Sequence, residues 1–224
     1  MISTMKTDIA ELDAAPEKNA IGAPKLQPRY TVDEYLTLER AADERHIYLD
    51  GEVIAMAGES GAHADISVNV VASLANQLKG TQCRARTKET KVRSGPIPEK
   101  GHCKKGMFSY PDIVVVCGEI EYHDAHRDVI LNPKVIIEIL SESTEALDRD
   151  EKFQRYQAQN PTLTDYILIS QTKPLVEHFR RKPRGRWSYD SYSGIEASLP
   201  IASIACALKL ADVYDRVSFA SSAD

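Results

Sequence analysis

Val135-Ile136-Ile137-Glu138-Ile139-Leu140 is followed, after Ser141-Glu142-Ser143-Thr144, by Asp148-Arg149-Asp150-Glu151-Lys152-Phe153-Gln154-Arg155-Tyr156. The first run is too short for a helix and rich in Val, Ile and Leu, so it reads as a central strand buried on both faces. Residues 148–159 read as a helix closed by Asn160-Pro161, because the residue before a proline resists the helical conformation. Asp148, Lys152 and Tyr156 stand at i, i+4 and i+8, which lines them up on one helix face. A strand with a carboxylate in its middle therefore leads into a helix with a polar stripe.

A second run of the same kind, Pro111 to Cys117, begins with Asp112 ahead of Ile113-Val114-Val115-Val116. An ionised carboxylate among apolar strand residues costs on the order of several kcal/mol unless a cation or hydrogen bonds compensate. Taken singly, Asp112 could mark a strand start and Glu138 a solvent-facing edge position. As a pair on successive strands they suit a divalent cation. Hard Mg2+ prefers one or two carboxylate oxygens plus waters, and two facing strands supply these without enclosing the ion. Lys152 would set a positive charge beside them, able to stabilise charge on a phosphate or orient an attacking water. The competing reading of Asp148 and Lys152 is a surface ion pair worth about 0.3 kcal/mol.

The rest of the chain supplies a frame for these two runs. Residues 1–27 show neither helical nor strand periodicity and are expected to form a mobile leader, with a single domain over 28–218 and a flexible tail over 219–224. Thr31 and Glu34 make a capping box at the start of a helix reaching about Ala42. His46–Leu49 and Glu52–Met56 flank Asp50-Gly51, a hairpin signal because both turn residues tolerate positive φ. Ile66, Val70, Val71, Leu74 and Leu78 recur at helical spacing between His63 and Lys79, with Gly80 at the C-cap. Residues 81–93 read as one extended, partly exposed strand and 94–107 as a mobile loop. Tyr166–Ser170, Leu175–Arg181 and Trp187–Tyr192 read as further strands, and a short helix is expected near Leu210–Asp215. This order predicts a mixed α/β or α+β fold, a central mixed sheet flanked by helices.

Composition narrows the function. The 224 residues are 42% hydrophobic and 27% charged, which excludes collagen-like and wholly disordered chains. A net charge of −5 means that any nucleic-acid contact must be local. Residues 84–105 hold eight basic residues (Arg84, Arg86, Lys88, Lys91, Arg93, Lys100, Lys104 and Lys105) against Glu89 and Glu99. A second basic run, Arg180 to Arg186, adjoins Trp187, whereas 119–151 has ten acids and three bases. Basic segments could seat phosphate while the acids gather metal; the alternative is a solvated charged surface. The absence of a long apolar run and of an apolar N-terminal stretch points to the cytosol. Four scattered cysteines without a Cys-x-x-Cys pair are expected to be reduced thiols. His123 and His126 with Asp124 lack a further ligand at a persuasive spacing. No Gly-rich phosphate loop, nucleophile elbow or dinucleotide fingerprint is present.

Pro111-Asp112 on one strand, Glu138 on the next and a nearby basic residue resemble the PD-(D/E)XK nuclease-like superfamily. The motifs Arg45-His46-x-Tyr48-Leu49-Asp50-Gly51-Glu52, His63, Tyr110-Pro111-Asp112, Val135-x-x-Glu138-Ile139-Leu140-Ser141-x-Ser143-Thr144 and Asp148-Arg149-x-x-Lys152-x-x-x-Tyr156 resemble the Uma-type "putative restriction endonuclease" family over about residues 29 to 217. The resemblance implies a restriction-endonuclease-like fold and a Mg2+-dependent (or Mn2+-dependent) DNA endonuclease. Asp112, Glu138 and the carbonyl of Ile139 would hold the ion. Lys152 would offset charge in the transition state, and Tyr156 would orient Lys152 or the phosphate. Asp148 would stand behind them, with His63 and Glu52 as further candidates, and Arg84, Arg86, Lys88, Lys91 and Arg93 would meet the DNA backbone. The superfamily's lysine usually lies two residues after the acid, where this chain has Leu140; the Uma-type pattern supplies it from the next helix as Lys152. Where relatives carry a glutamate before the Asp-Gly turn, this chain has Ile47. That departure supports a second reading, a nuclease-fold protein that binds nucleic acid or forms oligomers without cleaving. A homodimer suits an enzyme that cuts two strands.

Overall fold

The computed structural model describes residues 29–96 and 104–219. The expected leader, much of the expected loop with Lys100 and Cys103, and the tail beyond Phe219 lie outside them. In chain order the elements are α1 (Val32–Ala41), β1 (His46–Leu49), β2 (Glu52–Ala55), α2 (Gly61–Gln77), β3 (Cys83–Thr87), β4 (Lys91–Ser94), β5 (Met107–Ser109), β6 (Ile113–Cys117), β7 (Val129–Ile130) and β8 (Val135–Leu140). There follow α3 (Glu145–Leu147), a π-helical turn (Asp148–Lys152), α4 (Phe153–Gln159), β9 (Asp165–Ser170), β10 (Leu175–Arg181), β11 (Trp187–Ser193), β12 (Ser198–Ile201), β13 (Cys206–Lys209) and α5 (Leu210–Val213). The expected strand over 81–93 is two strands, because the chain turns between Thr87 and Thr90, joined by a 3.0 Å backbone hydrogen bond. None of the helices is long and apolar enough to cross a membrane, among the described residues.

The chain divides into two compact units, Met1–Met56 with Pro96–Phe108, and Ala57–Gly95 with Ser109–Asp224. In the first, the capping box forms as expected: Glu34 N donates to Thr31 Oγ1 at 3.3 Å and Thr31 N to Glu34 Oε2 at 2.7 Å. The β1–β2 hairpin turns on Asp50 and Gly51 with φ of 48° and 98°. A Cβ on Gly51 would also come within 3.2 Å of Arg29 Cβ, so the close approach demands glycine as much as the angle does. Tyr35, Tyr48 and Phe108 form the aromatic centre of this unit, with ring centroids 4.9 to 5.8 Å apart. Ile47 is buried in the same unit.

The second unit is built on a six-stranded mixed sheet of order β11-β10-β9-β8-β6-β3, in which only β8 and β9 run parallel. Side chains alternate between its faces. Ile113, Val115, Val135, Ile137, Ile139, Ile167 and Ile169 form one core with Ile66, Val70 and Leu74 of α2 and with Leu199, Leu208 and Val213 near the C-terminus. On the other face Phe153 of α4 stacks on Tyr166 at 5.1 Å and meets Phe179 at 4.5 Å and Trp187 at 5.3 Å. The short helix expected near Leu210–Asp215 is the single turn α5, and ahead of it the C-terminal segment pairs β12 with β13, which was not expected. Its small residues hid the alternation from a reading by pattern.

One expectation is overturned: Cys83 and Cys117 are disulfide-bonded, leaving Cys206 as the free, buried cysteine among the described residues. They are 34 positions apart in sequence but directly opposite each other in the β3–β6 register, a proximity that spacing along the chain does not reveal.

Candidate active site

The site belongs to the second unit and follows from strand alternation. Because Ile137 and Ile139 face the α2 core, Glu138 between them must point to the face covered by α4. The antiparallel register pairs Ile113 with Ile137, so Asp112, one step before β6, stands opposite Glu138. Two hydrogen bonds fix this: Ile139 N donates to Asp112 Oδ2 at 2.7 Å, and Asp112 N to Glu138 Oε2 at 3.3 Å.

The helix brings the cation. Lys152 Nζ lies 3.3 Å from Glu138 Oε1 and 2.5 Å from Asp148 Oδ1, and all three side chains are under 5% exposed. The helix begins three residues earlier than expected, at Glu145, and is interrupted by the π turn over Asp148–Lys152. In a pure α-helix each i, i+4 step drifts by about 40° around the axis. The wider π turn offsets that drift, so Asp148, Lys152 and Tyr156 all remain on the buried side. Tyr166 Oη anchors the turn by donating to Asp148 O at 2.8 Å. Tyr156 is fully buried, and its hydroxyl shares a 2.5 Å hydrogen bond with Ser109 Oγ.

A second line of charge reaches Asp112 from the other side. His63, in the first turn of α2, is held by Ser60 Oγ accepting from its backbone N at 3.1 Å. Its ring nitrogen Nε2 lies 3.3 Å from Asp112 Oδ2 and Nδ1 lies 3.1 Å from Glu59 Oε2. Lys88 Nζ closes the line 2.5 Å from Glu59 Oε1. Glu59 carried no signal of its own in the sequence; its spacing of four residues before His63 is the only trace.

These contacts set the protonation balance. Burial pushes the Glu138 carboxyl well up; Lys152 pulls it back, and Asp148 and Asp112 add to the rise. Burial opposes the charge on Lys152, but Glu138 and Asp148 more than offset it and hold the ammonium above its ordinary range. Burial lowers His63, and Asp112 and Glu59 outweigh burial so that its pKa is raised overall. Burial raises the Tyr156 hydroxyl, so it stays protonated. The cluster thus gathers Glu59, Asp112, Glu138 and Asp148 around His63, Lys88 and Lys152, with Glu138, Asp148 and Lys152 almost wholly out of water. Hard carboxylate oxygens in that setting suit a divalent ion that keeps part of its water shell. Among the described residues no three His, Cys, Asp or Glu side chains already close around a metal position.

The structure places the remaining candidates as follows. Glu52 belongs to the first unit, where Arg29 Nη2 lies 3.4 Å from its Oε1. Arg84 is exposed on the edge strand β3, and Arg86 Nη2 donates to Tyr122 Oη at 3.5 Å. Lys91 is buried, 3.0 Å from Asp128 Oδ2, and Arg93 is buried with Nη1 3.0 Å from His123 Nδ1. Arg181 in the second basic run donates to the carbonyls of Leu163, Gln157 and Asn160 at 2.7 to 3.1 Å, satisfying chain that leaves α4. Lys182, Arg184 and Arg186 are exposed at the β10–β11 turn. Sequence reasoning also missed the buried pair of His178 Nε2 and Asp165 Oδ1, 2.7 Å apart.

Asp112 and Glu138 thus face each other across a mixed sheet, with Lys152 of the helix beside Glu138. Residues 32–211 match the Uma2 family, described as "Putative restriction endonuclease", and the chain belongs to that family. Two uncharacterized proteins of Synechocystis sp. are similar to it. One, slr1290, is 31% identical over 88% of this chain and 95% of its own. The other, sll1609, is 27% identical over 75% and 90%. The crystal structure of a putative nuclease belonging to DUF820 from Anabaena variabilis shares the fold, with a TM-score of 0.65 at 20% identity over 83% of this chain and 97% of that one. Family membership supports a nuclease-like function and implies a nucleic-acid substrate.

Proposed function

We propose that the protein is a divalent-cation-dependent endonuclease that hydrolyses DNA phosphodiester bonds, with Asp112, Glu138 and the carbonyl of Ile139 holding Mg2+ or Mn2+. The observation that carries this reading is the continuous chain of contacts, 2.5 to 3.3 Å each, joining Asp112 to Glu138, Lys152 and Asp148. When bound, such an ion polarises a phosphoryl oxygen and lowers the pKa of a coordinated water. The chain's own groups do the rest. Lys152 keeps its charge between two carboxylates and offsets negative charge on the phosphate. Asp148 holds that ammonium in place, and Tyr156 with Ser109 closes the buried side against water. Arg84 and other exposed cations of the unit would meet the DNA backbone, and cutting both strands favours a two-fold dimer.

The test is to incubate the purified protein with supercoiled, linear, branched and single-stranded DNA in Mg2+ or Mn2+. Cleavage is expected with at least one DNA form and should fall about 10^2 to 10^3-fold in Asp112→Ala, which stays folded. Equal cleavage by the variant would overturn the reading. Ile47 favours a second reading in which the fold binds DNA without cutting it. That reading gains if wild-type protein binds but does not cut and Ile47→Glu restores cleavage.

A further inference from the structure

We propose that two copies of the chain join edge to edge through β11, antiparallel about a two-fold axis, so that two six-stranded sheets become one. The cleavage reading does not enter. β11 ends the sheet and pairs with β10 over its whole length, Trp187–Ser193. Lys182 N donates to Arg186 O at 2.6 Å and Gly194 N to Pro174 O at 2.9 Å, which fixes the phase of this hairpin ladder. Hydrogen-bonded pairs alternate with non-bonded ones in an antiparallel ladder. Ser188, Asp190 and Tyr192 therefore bond inward to β10, and Trp187, Tyr189, Ser191 and Ser193 turn their N–H and C=O outward. Among the described residues no backbone hydrogen bond meets that outer side.

Such an edge is a template for another strand, and proteins that keep an edge single blunt it with lysine, proline, bulges or a short strand. β11 has none of these. Its seven residues run without lysine, proline or a break in register, and its one charge, Asp190, is paired with Arg180 of β10. The opposite edge, β3, is blunted: it has five residues, among them Arg84 and Arg86. Apolar surface gathers on the β11 side. Tyr189 is 54% exposed, and Ile195 in the turn after the strand is 40% exposed; exposed large apolar groups gathered on one edge mark a contact surface. Charge selects the partner and its direction. Lys182, Arg184 and Arg186 are exposed ahead of β11, and Glu196 is exposed past its end. Antiparallel pairing of two copies sets the cationic turn of each beside the partner's Glu196, whereas parallel pairing would stack cation on cation. A two-fold contact uses the same strand on both copies, so assembly stops at two.

The experiment is sedimentation equilibrium of the full chain over about 1 to 300 μM, the range in which a small interface associates, combined with amide exchange read by NMR. The mass of the wild-type protein should rise from that of one chain to that of two and stop there. Exchange at Trp187, Tyr189, Ser191 and Ser193 should slow as the concentration rises, while Ser188, Asp190 and Tyr192, already bonded to β10, should not change. Ser191→Pro removes an outward N–H without touching the β10 ladder and should raise the dissociation constant at least about ten-fold. Tyr189→Lys, at an exposed side chain, should do the same and serves if the proline variant does not fold. A one-chain mass at every concentration would overturn the proposal and leave the edge to a strand of a different protein. A mass that climbs past two chains, or a dimer that the folded variants leave intact, would overturn it as well.

Discussion

Lys152 faces Glu138 and Asp148 at 3.3 and 2.5 Å, among side chains almost wholly out of water. Replacing it by methionine keeps the volume and strands two buried carboxylates, so Lys152→Met should lose about 3–5 kcal/mol in urea unfolding at neutral pH. A loss below 1 kcal/mol would mean that the carboxylates find other partners. At this scale much of the site was legible: Asp112 and Glu138 stood out because burial alone would not choose them, and Lys152 because it shares a helix face with Asp148. Glu59 was not legible, since its role depends on α2 bringing His63 to a strand about fifty positions away. Lys91 and Arg93 read as surface charges, yet β4 is buried along its whole length. Charge in a sequence says nothing about which strand the fold encloses.

At the scale of elements, the π turn is what the sequence conceals. Its residues match an α-helical stripe as well as a π-helical one, and the hydrogen bond from Tyr166 Oη to Asp148 O, which helps hold the wider turn, leaves no mark in the pattern. Deleting the exposed Asp150 should convert the turn to α geometry, keep the helical circular dichroism signal and lower cleavage about 100-fold, because Lys152 shifts relative to Asp148. Unchanged cleavage would show that the turn is incidental. The second buried pair makes a pH prediction. Burial opposes ionisation of Asp165, but hydrogen bonds from His178, Ser203 and Thr164 prevail and hold its pKa below the usual value. A depressed carboxyl contributes stability above its unfolded pKa and loses it as pH falls through the folded one. Wild-type stability should therefore drop below about pH 4, whereas Asp165→Asn should be weaker at pH 7 and flatter through that window. Urea midpoints between pH 2.5 and 7 check this. The β6, β8 and β10 boundaries were readable from short apolar runs and turn residues. The Cys83–Cys117 bond was not, because it needs the β3–β6 register.

For the molecule as a whole, the −5 charge means that a nucleic-acid substrate must find a local cationic face. Arg84, exposed on β3, and buried Arg93 should separate cleanly. Arg84→Ala should weaken DNA binding and reduce the salt slope by about one without affecting stability. Arg93→Ala should instead cost about 1–3 kcal/mol of stability, since it leaves buried polar groups unpaired. Fluorescence anisotropy across salt and thermal unfolding read the two effects. The mixed α+β architecture followed from the order of runs along the chain, whereas the pairing of β1 with β5 did not, because nothing along the chain links Leu49 to its partner Met107.

The proposed cleavage depends on Asp112 and Glu138 taking up a divalent ion. Isothermal titration of Mn2+ into wild-type protein and into Asp112→Asn is the direct measurement. One saturable site in the wild type and none in the variant is the predicted result; matching heats in both, or none in either, would contradict the account.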